Sequence, residues 1–126
     1  MADYSTTSSQ PYGPVPFSLG SAIIANAATA APTTATDGWD TNRLRFVNLY
    51  LHLTGAAGVT AAVTVWIYHP IAGWFLYTDV PQTTLFLANN GGFFQLELRG
   101  VQRVAVQVNS ITAGATLTMR AEGVTY

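Results

Sequence analysis

Cysteine is absent from this chain, and so is lysine. Without thiols there is no disulfide framework, no thiolate nucleophile and no cysteine-based metal site, so the fold has to hold by packing alone. Without lysine, and with a formal net charge of −1, the chain has neither a polybasic membrane patch nor the basic footprint of a nucleic-acid binder. The expected partners therefore include no nucleic acid and no membrane. Long apolar runs are missing as well, since none approaches the roughly eighteen residues that a spanning helix needs. No basic residue precedes Arg43, so the Ala-rich stretch near Ile23 and Ile24 does not follow the charged segment of a signal peptide. The chain reads as unprocessed.

Charge of either sign is scarce. Charged residues make up 9% of the 126, where an ordinary soluble domain has about a quarter, and hydrophobic residues make up 49%. A folded monomer of this mass exposes ~6,500 Å² by surface scaling, and the charged side chains at ~100 Å² each cover roughly a sixth of it. That falls below the share of about 25–35% that suits a freely soluble small domain. Much of the surface is therefore expected to lie against something else. All five cations are arginine, the residue better suited to bidentate pairs and interfaces. The length is that of one domain, with no room for a catalytic partner domain.

What the sequence does contain falls into two parts. Residues 1–19, MADYSTTSSQPYGPVPFSL, are rich in Ser, Thr and Pro, and prolines at 11, 14 and 16 disfavour both helix and central strand. They read as an extended N-terminal arm. A solvated tail rarely carries as many large apolar groups as Tyr4, Tyr12, Val15 and Phe17 supply, so the arm is expected to lie along a neighbouring subunit.

Residues 20–126 alternate with period two in short runs between Gly, Asn, Pro and Asp, the pattern of half-buried strands and their turns. RLRFVNLYLHL (43–53) puts Val47, Leu49, Leu51 and Leu53 on one face, and AAVTVWIYH (61–69) does the same with Val63, Val65 and Ile67. GWFLYTDV (73–80), TTLFLA (83–88), FFQLELR (93–99), VQRVAVQV (101–108) and ATLTMRAEG (115–123) follow, with SAIIA (21–25) ahead of them. Asn89, Asn90, Gly91 and Gly92 signal a tight turn. The stretch 26–42 crosses between sheets, hides a weak edge strand, or makes an Ala-rich helical turn before Pro32. Eight strands near ten-residue spacing predict an all-β fold, an eight-stranded antiparallel β-sandwich of jelly-roll-like form behind the arm.

The faces opposite the core are less polar than water-exposed strand faces should be. Phe46, Tyr50 and His52 oppose Leu49 and its neighbours; Trp66 and Tyr68 oppose Val65; Trp74, Phe75 and Tyr77 crowd the next strand. Apolar patches of this kind mark binding surfaces. Tyr4, Tyr12, Phe17, Phe46, Tyr50, Trp66, Tyr68 and Trp74 are therefore the expected protein–protein interface. The alternative is that the arm or the 26–42 stretch of the same chain covers this face.

Chemistry finds little footing. There is no Gly-x-Ser-x-Gly elbow, and only His52 and His69 offer an imidazole base. Two histidines without His-x-His spacing do not make a zinc site. Asp37-Gly38-Trp39-Asp40 lacks the alternating oxygen ligands of a calcium loop and reads as a turn. Glu97, Arg99 and Arg103 read as an ion-pair cluster. The expectation is a non-enzyme with no cofactor and no metal.

The Pro/Ser/Thr arm ahead of an eight-strand sandwich, the absence of Cys and Lys, and the closing hairpin VQRVAVQVNSITAGATLTMRAEG (101–123) resemble the small capsid cement or decoration proteins of tailed bacteriophages and related virion proteins. That resemblance implies a structural virion protein at the capsid surface, a homotrimer that binds the major capsid protein and stabilises the assembled shell. A second expectation is a carbohydrate-binding, lectin-like sandwich in which Trp39, Trp66, Tyr68 or Trp74 stacks on sugar rings. A fibre or adaptor domain of a virion is a third.

Overall fold

The computed structural model describes residues 17–25, 27–41, 44–98 and 101–124, and of 17–25 the strand backbone only. Nine strands run through them: β1 (Phe17–Ala25), β2 (Trp39–Asp40), β3 (Phe46–Thr54), β4 (Thr60–His69), β5 (Gly73–Leu76), β6 (Thr83–Phe86), β7 (Gly91–Glu97), β8 (Arg103–Ile111) and β9 (Thr116–Val124). Every pairing is antiparallel, and eight strands follow one path in the order β1-β9-β3-β7-β6-β4-β8-β2, with β5 paired only to β4. The path's two ends, β1 and β2, approach each other, so the sheet nearly closes on itself.

Alternation sets the inside. On β3 Val47, Leu49, Leu51 and Leu53 are buried while Tyr50, His52 and Thr54 are exposed. The same period buries Val63 and Val65 on β4, Leu96 on β7, Val104 and Val108 on β8, and Leu117, Met119 and Ala121 on β9. These side chains pack into two clusters. One joins Leu51, Leu53, Val63, Leu85, Val108 and Leu117; the other, toward the opposite end, joins Val47, Leu49, Val65, Leu96, Leu98 and Val104. Each fully buried Leu or Val contributes roughly 1.5–3 kcal/mol of transfer free energy.

Between β7 and β6 the path is held by one rung, Phe86 opposite Gly91. Toward the other end of β7 a side chain takes over the bridging. The Tyr77 hydroxyl accepts the Glu97 N–H at 3.2 Å and donates to the Glu97 carbonyl at 3.0 Å, while the Tyr77 N–H bonds the Val65 carbonyl on β4 at 2.9 Å. Tyr77 is thus the strap across this seam, and it is buried.

Several boundaries differ from the sequence reading. The 26–42 stretch holds the edge strand β2, and Trp39 within it packs against the core. The strand expected at 21–25 begins at Phe17. The Asn-Asn-Gly-Gly turn is built earlier, as a 3-10 turn over Leu87–Asn89 closed by Asn90 in the left-handed region at φ 59°. Gly91 and Gly92 therefore open β7. Gly91, at φ 108°, is held to glycine because a Cβ there would overlap the Leu51 carbonyl oxygen.

Candidate functional site

Two aromatic surfaces lie on opposite halves of the path, and the sequence reading had merged them. The first belongs to β4, β5 and β8. Register places Tyr68 between Trp74 and Arg103, and Trp66 between Leu76 and Ala105. Trp66, Tyr68 and Trp74 are partly buried, with the Tyr68 and Trp74 rings 5.1 Å apart. The loop 33–38 is tied to this face through Trp74 and Arg103. Trp74 Nε1 donates to the Thr34 carbonyl at 3.0 Å, and the Arg103 guanidinium donates to the carbonyls of Thr36, Asp37 and Gly38 at 2.7–3.0 Å. Trp66 Nε1 is bound to Gln107 Oε1 at 2.9 Å.

That loop holds its own shape through Asp37, whose Oδ2 accepts the N–H groups of Thr33 and Thr34, both at 2.9 Å. The Thr34 bond first and the Thr33 bond second hold the Asp37 carboxyl below its usual 3.8, aided by Arg103 and opposed by desolvation. Behind the loop, against Trp39, Ala105, Val106 and Met119, lies a cavity of about 510 Å³. Its one carboxylate, Asp37, already serves the loop backbone, so no second acid or base stands opposite it among the described lining residues.

The second surface belongs to β3, β7 and β6. Tyr50 (41% exposed) stands opposite Phe93 (54%), ring centroids 4.9 Å apart. The neighbouring rung runs from His52 through Gly91 to Phe86 (49%). Gly91 on this rung is itself buried and carries no side chain. A notch of about 250 Å³ lies beside Tyr50 and Phe93, lined also by Leu51, His52, Asn89, Asn90 and Gly92. Alongside, Gln95 bonds Asn48 at 3.0 Å, and Arg120 lies 3.4 Å from Glu122.

A third exposed apolar group sits on the β4–β5 hairpin: Ile71 at its tip, with Phe75 and Leu76 on β5. The tip is held by His69, whose Nδ1 accepts the N–H groups of Ile71 and Ala72 at 3.1 and 3.2 Å.

Of the expected interface residues, Tyr4 and Tyr12 lie outside the described residues, as does the side chain of Phe17. Phe46 is partly buried under the Arg45 guanidinium, 5.8 Å from its ring centre. Tyr50 stands open, separated by the sheet from Trp66, Tyr68 and Trp74. Phe86, Phe93, Leu76 and Ile71 stand outside both the expected interface and the crowded aromatics, and Phe75, one of the latter, lies outside the expected interface. For Phe93 the signal was present: placing Phe94 inward on the alternation puts Phe93 outward. Among the described residues no group of three or more His, Asp or Glu is close enough to hold a metal ion; of the expected Glu97, Arg99 and Arg103 cluster, Arg103 donates to loop carbonyls and Arg99 lies outside the described residues. Among the described residues no helix is long and apolar enough to cross a membrane.

Fold and surface together define an antiparallel β-protein whose aromatic faces are its most distinctive chemistry. Compared with known proteins, the chain matches no family model, no curated protein and no solved structure.

Proposed function

We propose that this chain is a structural virion protein, a capsid cement or decoration subunit that assembles as a homotrimer and stabilises a shell built of a major capsid protein. The observation that carries the reading is the set of six large apolar side chains left exposed among the described residues, Tyr50, Ile71, Phe75, Leu76, Phe86 and Phe93, on a chain with only 9% charged residues. Grouped on strand faces and a hairpin tip, they are the kind of surface that packs against protein. A subunit that binds only the assembled lattice stabilises that lattice by mass action, so burying these groups is itself the activity.

The strand order supports a jelly-roll reading. Parted at the single β6–β7 rung, the path becomes β1-β9-β3-β7 and β6-β4-β8-β2. Each half takes its strands from all along the chain, the interleaving that two Greek keys wound together produce. Both core clusters draw side chains from both halves, as two sheets packed face to face require. The glycan reading rested on Trp39, Trp66, Tyr68 and Trp74. Trp39 packs on the core, and the indole N–H groups of Trp66 and Trp74 are taken by Gln107 and Thr34.

Light scattering on the purified chain at micromolar concentration tests the proposal. The expected result is a particle of three subunits; a monodisperse monomer, with no binding to assembled shells, removes it.

A further inference from the structure

We infer that the cradle formed by Tyr50, Phe86 and Phe93 is the docking site for residues 11–16 of a neighbouring copy of this chain. The inference rests on the packing role proposed above and names the partner of its open face.

Three features of the cradle suit a polyproline ligand. A notch of about 250 Å³ opens beside Tyr50 and Phe93. The rings around it are exposed and apolar, as in the aromatic grooves that receive Pro-x-x-Pro segments. A polyproline II strand has no internal hydrogen bonds, so its carbonyls need donors. Asn89 and Asn90 put carboxamides at the rim, and their side chains make no hydrogen bond among the described residues. Tyr50 adds a hydroxyl.

The chain carries a matching ligand. Pro11-Tyr12-Gly13-Pro14 is a Pro-x-x-Pro segment, extended by Val15 and Pro16, and no charged residue lies between Asp3 and Phe17. Proline fixes φ near −65°, so ordering such a segment costs less entropy than ordering an ordinary loop. An uncharged ligand meets rings and carboxamides; the nearest cation, Arg120 opposite Tyr50, lies beside Glu122.

Reach decides whose segment it is. Phe17 pairs with Gly123, Gly123 with Val47, and Val47 with Leu96, so the arm departs level with Leu96. From there Gly91 is about 17 Å away along β7 and about 14 Å across the strands, about 22 Å in all. Pro14 reaches at most about 11 Å from Phe17, and Pro11 about 22 Å only when the chain runs fully straight. A chain therefore cannot lay both prolines of its Pro-x-x-Pro segment across its own cradle. An arm on one copy seated in a cradle on the next is a heterologous contact, the kind that closes into rings.

The test uses the full-length chain and sedimentation velocity. A cradle variant, Phe86→Ala with Phe93→Ala, and an arm variant, Pro11→Ala with Pro14→Ala, are each expected to weaken self-association about 10- to 100-fold with unchanged circular dichroism. Mixed one to one, the two variants are expected to associate again but to stop at a dimer, because the pair holds one intact arm and one intact cradle. If the native chain oligomerises and either variant does so equally well, the docking is overturned while the packing role stands. Variants that weaken association but do not complement one another also overturn it. A native chain that stays monomeric removes the packing role and the docking together.

Discussion

The two aromatic surfaces differ in what lies above them more than in the rings they present. On the β4–β5–β8 half, the partly buried Tyr68 and Trp74 stand beside the loop 33–38, which is laced down by Arg103 through three carbonyls and by Trp74 through a fourth. On the β3–β7–β6 half, Tyr50, Phe93 and Phe86 stand 41–54% exposed. Both follow the same strand alternation. The difference teaches that an outward aromatic is an intramolecular packing residue or a docking residue according to whether another segment of the chain reaches it.

Both surfaces rest on one core, so the largest effect is one that removes their common support. Leu51 is 1% exposed beneath the open face and packs with Leu53, Val63 and Leu117. Leu51→Ala should cost about 3 kcal/mol in urea denaturation, through lost transfer energy plus the cavity left behind. A cost under about 1 kcal/mol would mean that the site collapses onto the gap. Next comes Arg103→Ala, which leaves three loop carbonyls without their donor and should cost about 2 kcal/mol. It should also turn the covered face into an open one, read as a red shift and greater iodide quenching of tryptophan fluorescence. Unchanged quenching would show that the loop stays down without its lacing.

Acid should erode the same contrast. The folded-state pKa of Asp37 lies below its usual 3.8, so its contribution is fully present above that value and is lost as pH falls through the folded value. The window opens below about pH 3.8, where protonation removes the charge that receives the Thr34 and Thr33 N–H groups. Tryptophan quenching should therefore rise on acidification below that pH, ahead of global unfolding. Asp37→Asn should flatten the response. A native chain and an Asp37→Asn chain with the same acid profile would assign the change to other carboxylates.

Much of the core was legible in the sequence because a strand's alternation is local: Val47, Leu49, Leu51 and Leu53 announce their face within seven residues. Strand order was not legible, since β3 pairs with β7 and β9 through contacts 39 to 78 residues away. The loop over Trp74 was hidden for the same reason. Its bond from Nε1 to the Thr34 carbonyl spans forty residues, and nothing in the local pattern around Trp74 marks the ring as covered. The cradle fell between these cases. Tyr50 was readable and Phe93 derivable from its neighbour, but Phe86 joins them only through the β6–β7 rung.

The smallest expected change in stability is also the sharpest probe of the comparison. Phe93→Ser removes a ring that is 54% exposed and touches Tyr50 but no buried cluster, so it should shift the unfolding free energy by no more than about 0.5 kcal/mol. Trp74→Ser removes a half-covered ring together with the N–H that holds Thr34, and should cost about 1 kcal/mol or more. If the open ring is there to meet another chain, Phe93→Ser should lower self-association while leaving the monomer as stable as before, and Trp74→Ser should do the reverse. Equal stability losses for the two would mean that Phe93 is as much an internal packing residue as Trp74, and the distinction between a covered face and a docking face would fail at the residue on which it depends most.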